Sequence, residues 1–147
     1  MEQQVDLITL GVRDLEEARS FYLDGLGWKA ALDVPGEVVF LQVGHGLLLA
    51  LFGAGDLAAD IGEEPRATAT GTYPFNLAHN VGSEAEVVQQ MARAEAAGAT
   101  VLKAPQRAAF GGFHGYFADP SGFRWEIAHN PGWSVGPDGQ VALVAVE

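Results

Sequence analysis

The predicted order of secondary-structure elements occurs twice in this chain, and this repeat restricts the folds that the sequence can adopt. Each copy consists of a strand, a helix and three further strands. Asp14 and Ser83 follow the first strand of each copy, and a Glu three residues later predicts a capping box at each helix start. Gly27 and Gly98 lie at corresponding places after the two helices. Because one helix cannot cover a whole sheet, the two copies are expected to pair.

The repeat predicts an α+β protein in which two βαβββ modules form a curved mixed sheet around a cleft, with the helices outside. The first module is assigned to residues 1–53 and the second to residues 75–130. Residues 54–74, rich in Ala, Gly, Thr and acidic residues, are interpreted as a linker or lid with a short helical turn. Residues 131–147 form a C-terminal tail, whose apolar stretch over 141–146 could add a strand.

The boundaries of the predicted elements follow from apolar periodicity and from Gly and Pro. In the first module, we predict strands over 6–12, 28–32, 38–43 and 47–52 and a helix from Asp14 to about Leu23. In the second module, we predict strands over 75–81, 100–103, 114–118 and 123–129 and a helix from Ser83 to Ala97.

Composition narrows the classes of partner. The formal net charge is -11 over 147 residues, of which only eight are Lys or Arg. Such a chain lacks the basic surface that neutralises phosphates, so neither nucleic acid nor an anionic membrane is an expected partner. The chain has no Cys, which excludes disulfides and thiolate ligands. Polar first residues, and apolar runs far shorter than the ~20 residues of a membrane span, predict a cytoplasmic protein.

The segment from Tyr116 to Glu126 carries the most specific motif, YFADPSGFRWE. It resembles the Y-F-x-D-P-x-G-x-x-x-E signature of the vicinal-oxygen-chelate superfamily, which includes glyoxalase I, extradiol dioxygenases, fosfomycin-resistance enzymes and bleomycin-sequestering proteins. The opening segment LGVRDLEEARSFYLDGLGW resembles the first strand and helix of that superfamily. The resemblance covers residues 5–130. It implies the paired-module fold more specifically than any one reaction, because the fold supports many chemistries.

The resemblance also identifies four positions that supply metal ligands in this superfamily. They are occupied here by Leu7, Ala50, Asn76 and Glu126. A catalytic divalent metal needs about three protein ligands, and neither Leu nor Ala can provide one. Only Glu126 matches the superfamily pattern, so we predict that the protein has no metal site of the usual kind and needs no cofactor.

The same positions, together with strand alternation, define which side chains line the predicted cleft. The candidate catalytic residues are Glu126, His114 and Tyr116, which are expected to transfer protons and orient the substrate. The remaining inward-facing candidates are expected to contact a small-molecule ligand: Asn76, Asn80, Arg124, Thr9, Leu7, Leu48, Ala50 and Phe52. We expect Glu126 to lie in a polar cluster with Tyr116, Asn76 and Arg124, which would serve either catalysis or stability.

Three functions are compatible with this site. The first is a glyoxalase-related protein that binds, and in its active form transforms, a small polar metabolite without the usual metal. The second is a non-catalytic protein that sequesters a small molecule, as bleomycin-resistance proteins do, with an acidic surface suited to a cationic ligand. The third is a metal-dependent lyase or dioxygenase with a rearranged site that includes Glu126 and His114. Exposed sheet edges and the usual pairing of such modules predict a homodimer.

Overall fold

The computed structural model describes residues 1, 3–64, 75–109 and 111–143. The chain divides into two compact units, Met1–Gly71 and Thr72–Glu147. Each unit contains a four-stranded mixed sheet and a helix that follows its first strand, which confirms the predicted α+β class with two βαβββ modules. Residues 65–74 of the predicted linker and residues 144–147 of the predicted tail lie outside the described residues.

The elements of the two units follow the same order. In the first unit, β1 to β4 span Leu7–Val12, Ala30–Val34, Val38–Gly44 and Leu47–Gly53. Helix α1 spans Leu15–Arg19 and continues as a π-helical segment over Ser20–Gly25, and α2 spans Ala54–Ile61. In the second unit, β5 to β8 span Leu77–Asn80, Thr100–Arg107, Phe113–Ala118 and Arg124–His129, and α3 spans Glu84–Ala96. A separate two-stranded sheet contains β9 (Trp133–Val135) and β10 (Val141–Leu143).

The two main sheets share one topology. Their strand orders are β1-β4-β3-β2 and β5-β8-β7-β6. In each sheet the first strand pairs in parallel with the fourth, and the remaining neighbours are antiparallel. The fourth strand of each unit therefore lies inside its sheet rather than at an edge. Ala50 and Glu126 occupy this interior strand in the first and second unit.

The core of the first unit forms between one face of its sheet and the helix that follows β1. Strand residues at alternate positions are buried there, as a sheet with one covered face requires: Leu10, Val12, Val39, Leu41, Leu49 and Leu51. Ala18, Phe21 and Tyr22 supply the buried side of the helical segment. Tyr22 is completely buried, and its ring lies 5.0 Å from Phe21 and 5.4 Å from Trp28 between centroids.

In the second unit, α3 covers one face of the sheet with Val87, Met91 and Ala94, which are all buried. Gly115 in β7 allows this close approach, because a Cβ there would lie 3.1 Å from the terminal carbon of Met91 and 3.0 Å from the Lys103 carbonyl oxygen. The helix therefore packs against the face to which odd-numbered β7 residues point. The even-numbered residues of β7 point to the other face.

Both predicted N-cap residues begin helices where the sequence places them, which confirms the cap half of each predicted capping box. A carboxylate oxygen of Asp14 accepts a hydrogen bond from the Glu17 backbone N–H at 2.9 Å, and the Ser83 hydroxyl accepts one from the Glu86 backbone N–H at 3.3 Å. The first helix differs from the prediction in geometry, because it changes to π-helical hydrogen bonding after Arg19.

Strand boundaries differ from the sequence prediction at the second module. β5 begins at Leu77, so Asn76 lies just outside the strand. β6 continues to Arg107, four residues beyond its predicted end, although it contains Pro105. Pro is tolerated at this place because β6 is an edge strand, and the pairing with β7 shifts register between Lys103 and Gln106. The register shifts on either side of Lys103 place it opposite Tyr116.

Candidate functional site

The turn between β7 and β8 fixes the register of the hairpin that carries the site. Asp119 is buried, and one of its carboxylate oxygens accepts hydrogen bonds from the Ser121 and Phe123 backbone N–H groups at 3.0 and 2.8 Å. The resulting register places Tyr116 opposite Glu126. Because directly opposed residues in antiparallel strands share a face, the two side chains lie together, as the sequence predicted.

The sheet face opposite α3 carries the polar side chains of Lys103, His114, Tyr116, Arg124 and Glu126, and we call it the Glu126 face. Each assignment follows from strand pairing: Lys103 with Tyr116, Tyr116 with Glu126, His114 with Ala128, and Ala118 with Arg124.

Three of these side chains form a continuous hydrogen-bonded chain. His114 Nδ1 lies 2.7 Å from Glu126 Oε1, and His114 Nε2 lies 3.0 Å from Lys103 Nζ. An ammonium group can only donate and a carboxylate can only accept. The pattern therefore fits a neutral imidazole that accepts from Lys103 at Nε2 and donates to Glu126 from Nδ1. The Lys103 ammonium, a cation, is thus linked through the neutral His114 ring to the anionic Glu126 carboxylate.

Tyr116 completes the cluster from the position opposite Glu126 in the hairpin. The Glu126 carboxylate acts on the Tyr116 hydroxyl group from this position. The Tyr116 ring lies 5.3 Å from the His114 ring at an interplanar angle of 67°, and the Lys103 ammonium lies 6.0 Å from the Tyr116 centroid. Desolvation by burial, followed by the hydrogen bond and the negative charge of Glu126, raises the pKa of Tyr116. The phenol therefore stays protonated, and a donor, throughout the neutral range.

This shift predicts an alkaline titration that can be measured. The Tyr116 phenol should ionise above its ordinary pKa of about 10, and Glu126→Gln should lower that pKa by removing the negative charge. Above about pH 10 the unfolded chain loses the proton first, so Tyr116 contributes stability that is lost as pH rises through its folded-state pKa. Ultraviolet difference titration of the wild type against Tyr116→Phe isolates this group from the other two tyrosines. Ionisation at or below pH 10 would contradict the described contact.

Lys103 is a member of this cluster that the sequence analysis did not identify. The predicted strand ended at Lys103 because Pro105 follows, and the bulges on either side of Lys103 shift its pairing. Nothing in a single sequence locates a bulge. One sequence signal could have identified Lys103 as a site residue. It is a cationic residue at the end of a predicted edge strand in the module that carries Glu126.

The predicted ligand-contacting residues of the second unit have separate environments. The Arg124 guanidinium donates to the Gly122 carbonyl oxygen, and Asn80 Oδ1 accepts from Asn130 Nδ2 at 3.0 Å. Asn76 is exposed, and its side-chain nitrogen lies 3.5 Å from the neighbouring Leu77 carbonyl oxygen. Glu126 therefore contacts His114 and Tyr116 rather than the expected Arg124 and Asn76. The roles of Arg124, Asn76 and Asn80 in binding stay predictions.

The predicted contact residues of the first unit all lie on the sheet face opposite its core. Strand pairing places Leu7 beside Leu48, Thr9 beside Ala50, and Gly11 beside Phe52. Within this face, Leu7 is 43% exposed whereas Ala50 is buried. At the Gly11 end, a Cβ would lie 3.1 Å from a Leu57 methyl carbon, so α2 packs over that end of the face. The segment predicted as a linker or lid thus provides a helix that covers part of the face.

Comparison with known proteins agrees with this architecture. The sequence profile of the Glyoxalase/Bleomycin resistance protein/Dioxygenase superfamily matches residues 4–127, which is most of the chain. The chain belongs to this superfamily. A glyoxalase-related enzyme from Fulvimarina pelagi is 42% identical, with a TM-score of 0.87 over 98% of this chain and 100% of that one.

Two further superfamily structures are more distant. A lactoylglutathione lyase from Agrobacterium tumefaciens is 28% identical, with a TM-score of 0.66 over 88% of this chain and 96% of that one. A glyoxalase/bleomycin resistance protein/dioxygenase from Nocardioides is 24% identical, with a TM-score of 0.73 over 88% and 84%, and it supports the fold alone. Among curated proteins, none shows significant similarity to this chain. Within the described ranges, every helix is too short or too polar to span a membrane.

The side chains present do not fit the metal that the superfamily commonly holds. Leu7 and Ala50 have no donor atom, and Asn76 is an exposed amide outside its strand. The remaining position, Glu126, already accepts a hydrogen bond from His114. In the part of the chain that the structure describes, no three His, Asp or Glu side chains are grouped so that they could hold a metal ion. The donor set therefore supports proton chemistry better than metal ligation.

Proposed function

We propose that this glyoxalase-related protein binds a small oxygenated metabolite on the Glu126 face and transfers a proton to or from it, with Glu126 as the general base. The observation that carries the proposal is the series of side-chain hydrogen bonds that links Lys103, His114 and Glu126. It holds the carboxylate of Glu126, the one superfamily ligand position that keeps a ligating residue here, in a fixed orientation through protein side chains. Orientation by a neighbouring imidazole is a recurring way to position a catalytic group.

Relative exposure supports Glu126, rather than His114, as the group that meets the substrate. The side chain of Glu126 is 20% exposed and that of His114 is 8% exposed. Both imidazole nitrogens already contact Lys103 and Glu126. His114 is therefore a positioning residue, whereas an oxygen of Glu126 can accept a proton from a bound molecule.

Two donors on the Glu126 face, Tyr116 and Lys103, are suited to a developing oxyanion. In the proposed step, a C–H bond next to a carbonyl breaks, its proton goes to Glu126, and its electron pair forms an enolate. The Tyr116 hydroxyl loses its anionic acceptor when Glu126 becomes protonated, so it can donate to the enolate oxygen. The Lys103 ammonium has three protons and uses one toward His114, which leaves donors for the same oxygen.

The relatives support an enzymatic rather than a purely structural role. The Fulvimarina pelagi protein is described as a glyoxalase-related enzyme, and the Agrobacterium tumefaciens protein as a lactoylglutathione lyase. We extend from them only that the protein is an enzyme; the proton-transfer step is argued from Glu126 and its neighbours. In this proposal the protein acts without a divalent metal. It acts in the cytoplasm, and its assembly is a homodimer.

Deuterium exchange tests the proton-transfer step of this proposal directly. Small oxo compounds, including pyruvate and its neutral methyl ester, are incubated with the protein in D2O and followed by proton NMR. Deuterium should enter the position next to the carbonyl faster than in buffer, and EDTA should leave the rate unchanged. Loss of exchange with EDTA would support the rearranged metal site instead. Binding of these compounds without exchange would support the sequestering function.

A further inference from the structure

We infer that the ligand of this site is a small carboxylate anion whose carboxylate is held by Arg124. The inference rests on the proposed function for the reacting end of the molecule, but its test is independent of turnover. Arg124 lies on the Glu126 face, two residues from Glu126 along β8. Two residues along a strand correspond to about 6.6 Å between Cα atoms, so the two side chains leave the strand within the length of a small molecule.

Arg124 has unused capacity to bind an anion. Its guanidinium donates to the Gly122 carbonyl oxygen through Nη1, and its Nε is buried without a hydrogen-bond partner, so a ligand would meet the remaining Nη hydrogens. The ion pairs within the described ranges involve Arg13, Arg19, Arg107 and His114, whereas Arg124 has no carboxylate partner there. A half-buried guanidinium with a carbonyl partner alone retains its full charge and most of its five donors. Carboxylate is the group whose shape matches that donor set.

The formal charges on the Glu126 face also favour an anion. Lys103 and Arg124 are cationic and Glu126 is anionic, while His114 in the described pattern is neutral, so the face carries a net charge of +1. The whole chain, in contrast, carries -11. A positive site in so acidic a protein is a local exception. The overall charge alone would favour a cationic ligand. A bound ligand interacts most strongly with the nearest charges, however, so the positive Glu126 face disfavours a cation.

The two ends of the face then define the class of substrate. A carboxylate at Arg124, a carbonyl oxygen near Tyr116 and Lys103, and an acidic C–H at Glu126 together describe a short oxo acid. The neutral ester of such an acid keeps the carbonyl and the C–H but lacks the anion. The pair therefore separates recognition by Arg124 from chemistry at Glu126.

Binding measurements on matched variants test the inference. Saturation-transfer NMR titrations compare pyruvate with methyl pyruvate on the wild type, Arg124→Gln, Arg124→Lys and Arg107→Gln. Arg107 is the control, because it belongs to the same unit but is exposed and paired with Glu84. Loss of a charge-assisted pair should weaken pyruvate binding about 10- to 100-fold in Arg124→Gln. Arg124→Lys should retain part of it, and Arg107→Gln should stay within about twofold of the wild type.

Methyl pyruvate should bind the wild type and Arg124→Gln equally. The inference is overturned if the ester binds the wild type as tightly as pyruvate, if Arg124→Gln weakens both ligands alike, or if the wild type binds no pyruvate. Thermal melts of Arg124→Gln and Arg124→Lys separate loss of fold from loss of affinity. The two proposals can fail separately: exchange that depends on Glu126 but not on Arg124 would contradict only this inference, whereas Arg124-dependent binding without exchange would contradict only the proposed function.

Discussion

A Glu126→Gln variant is expected to exchange deuterium into an accepted oxo compound about 10²- to 10⁴-fold more slowly than the wild type, the usual contribution of a general base. Gln keeps the shape of Glu and can still accept the hydrogen bond from His114, but it cannot accept a proton from carbon. The side chain is partly exposed, so the free energy of unfolding should fall by less than about 1 kcal/mol. NMR exchange rates and chemical denaturation of the same preparation measure both effects.

Glu84→Gln is the matched control for this change. Glu84 belongs to the same unit, but it lies at the start of α3 and pairs with Arg107 on the protein surface. Its replacement should alter neither exchange nor stability beyond about 0.5 kcal/mol. A Glu126→Gln protein that exchanges at the wild-type rate and is destabilised by about 1–3 kcal/mol would assign Glu126 to a purely structural network.

Replacing Tyr22 by Ala should cost about 3–5 kcal/mol of the free energy of unfolding, which is the range for a large aromatic core residue. Tyr22 is completely buried, its ring meets Phe21 edge-on at 89°, and its carbonyl oxygen accepts a hydrogen bond from the Trp28 backbone N–H at 3.0 Å. Truncation leaves a cavity between the first helix and its sheet. Since whole domains are stable by only about 5–15 kcal/mol, the first unit should be severely weakened.

Urea denaturation of Tyr22→Ala measures this loss. Leu32→Ala provides the control, because Leu32 is also a large apolar residue of the first unit but is 54% exposed. It should change stability by less than about 0.5 kcal/mol. If the two variants unfolded at the same urea concentration, Tyr22 would not belong to the cooperative core.

The sequence predicted the parts of the fold that depend on local signals. The Asp14 and Ser83 caps were visible because a polar side chain and a Glu three residues later form a local motif, and both helices begin there. The opposition of Tyr116 and Glu126 was predictable because a short turn around Asp119 fixes the register between them. Each of these features depends on residues close in sequence.

Features that depend on distant residues were less accessible. The interaction of Lys103 with His114 requires a bulged edge strand whose pairing only the folded sheet determines. Arg124 was expected to pair with Glu126 because both point to one face, but its side chain turns back to the Gly122 carbonyl oxygen. Residues two apart on a strand point to the same face of the sheet. The rotamer of a long side chain on that face depends on which hydrogen-bond acceptors lie within its reach.

The parallel pairing of the first and fourth strands has a consequence for biosynthesis. Leu7 cannot meet Leu48, nor Leu77 meet Trp125, until the ribosome has released the whole intervening segment. The hairpins β3–β4 and β7–β8 close over short stretches of chain and can form early. During translation β1 therefore stays unpaired until β4 has been synthesised. Its free backbone N–H and C=O groups can associate with other chains during that time. Closure of this last pair is expected to be the slow step by which each unit folds.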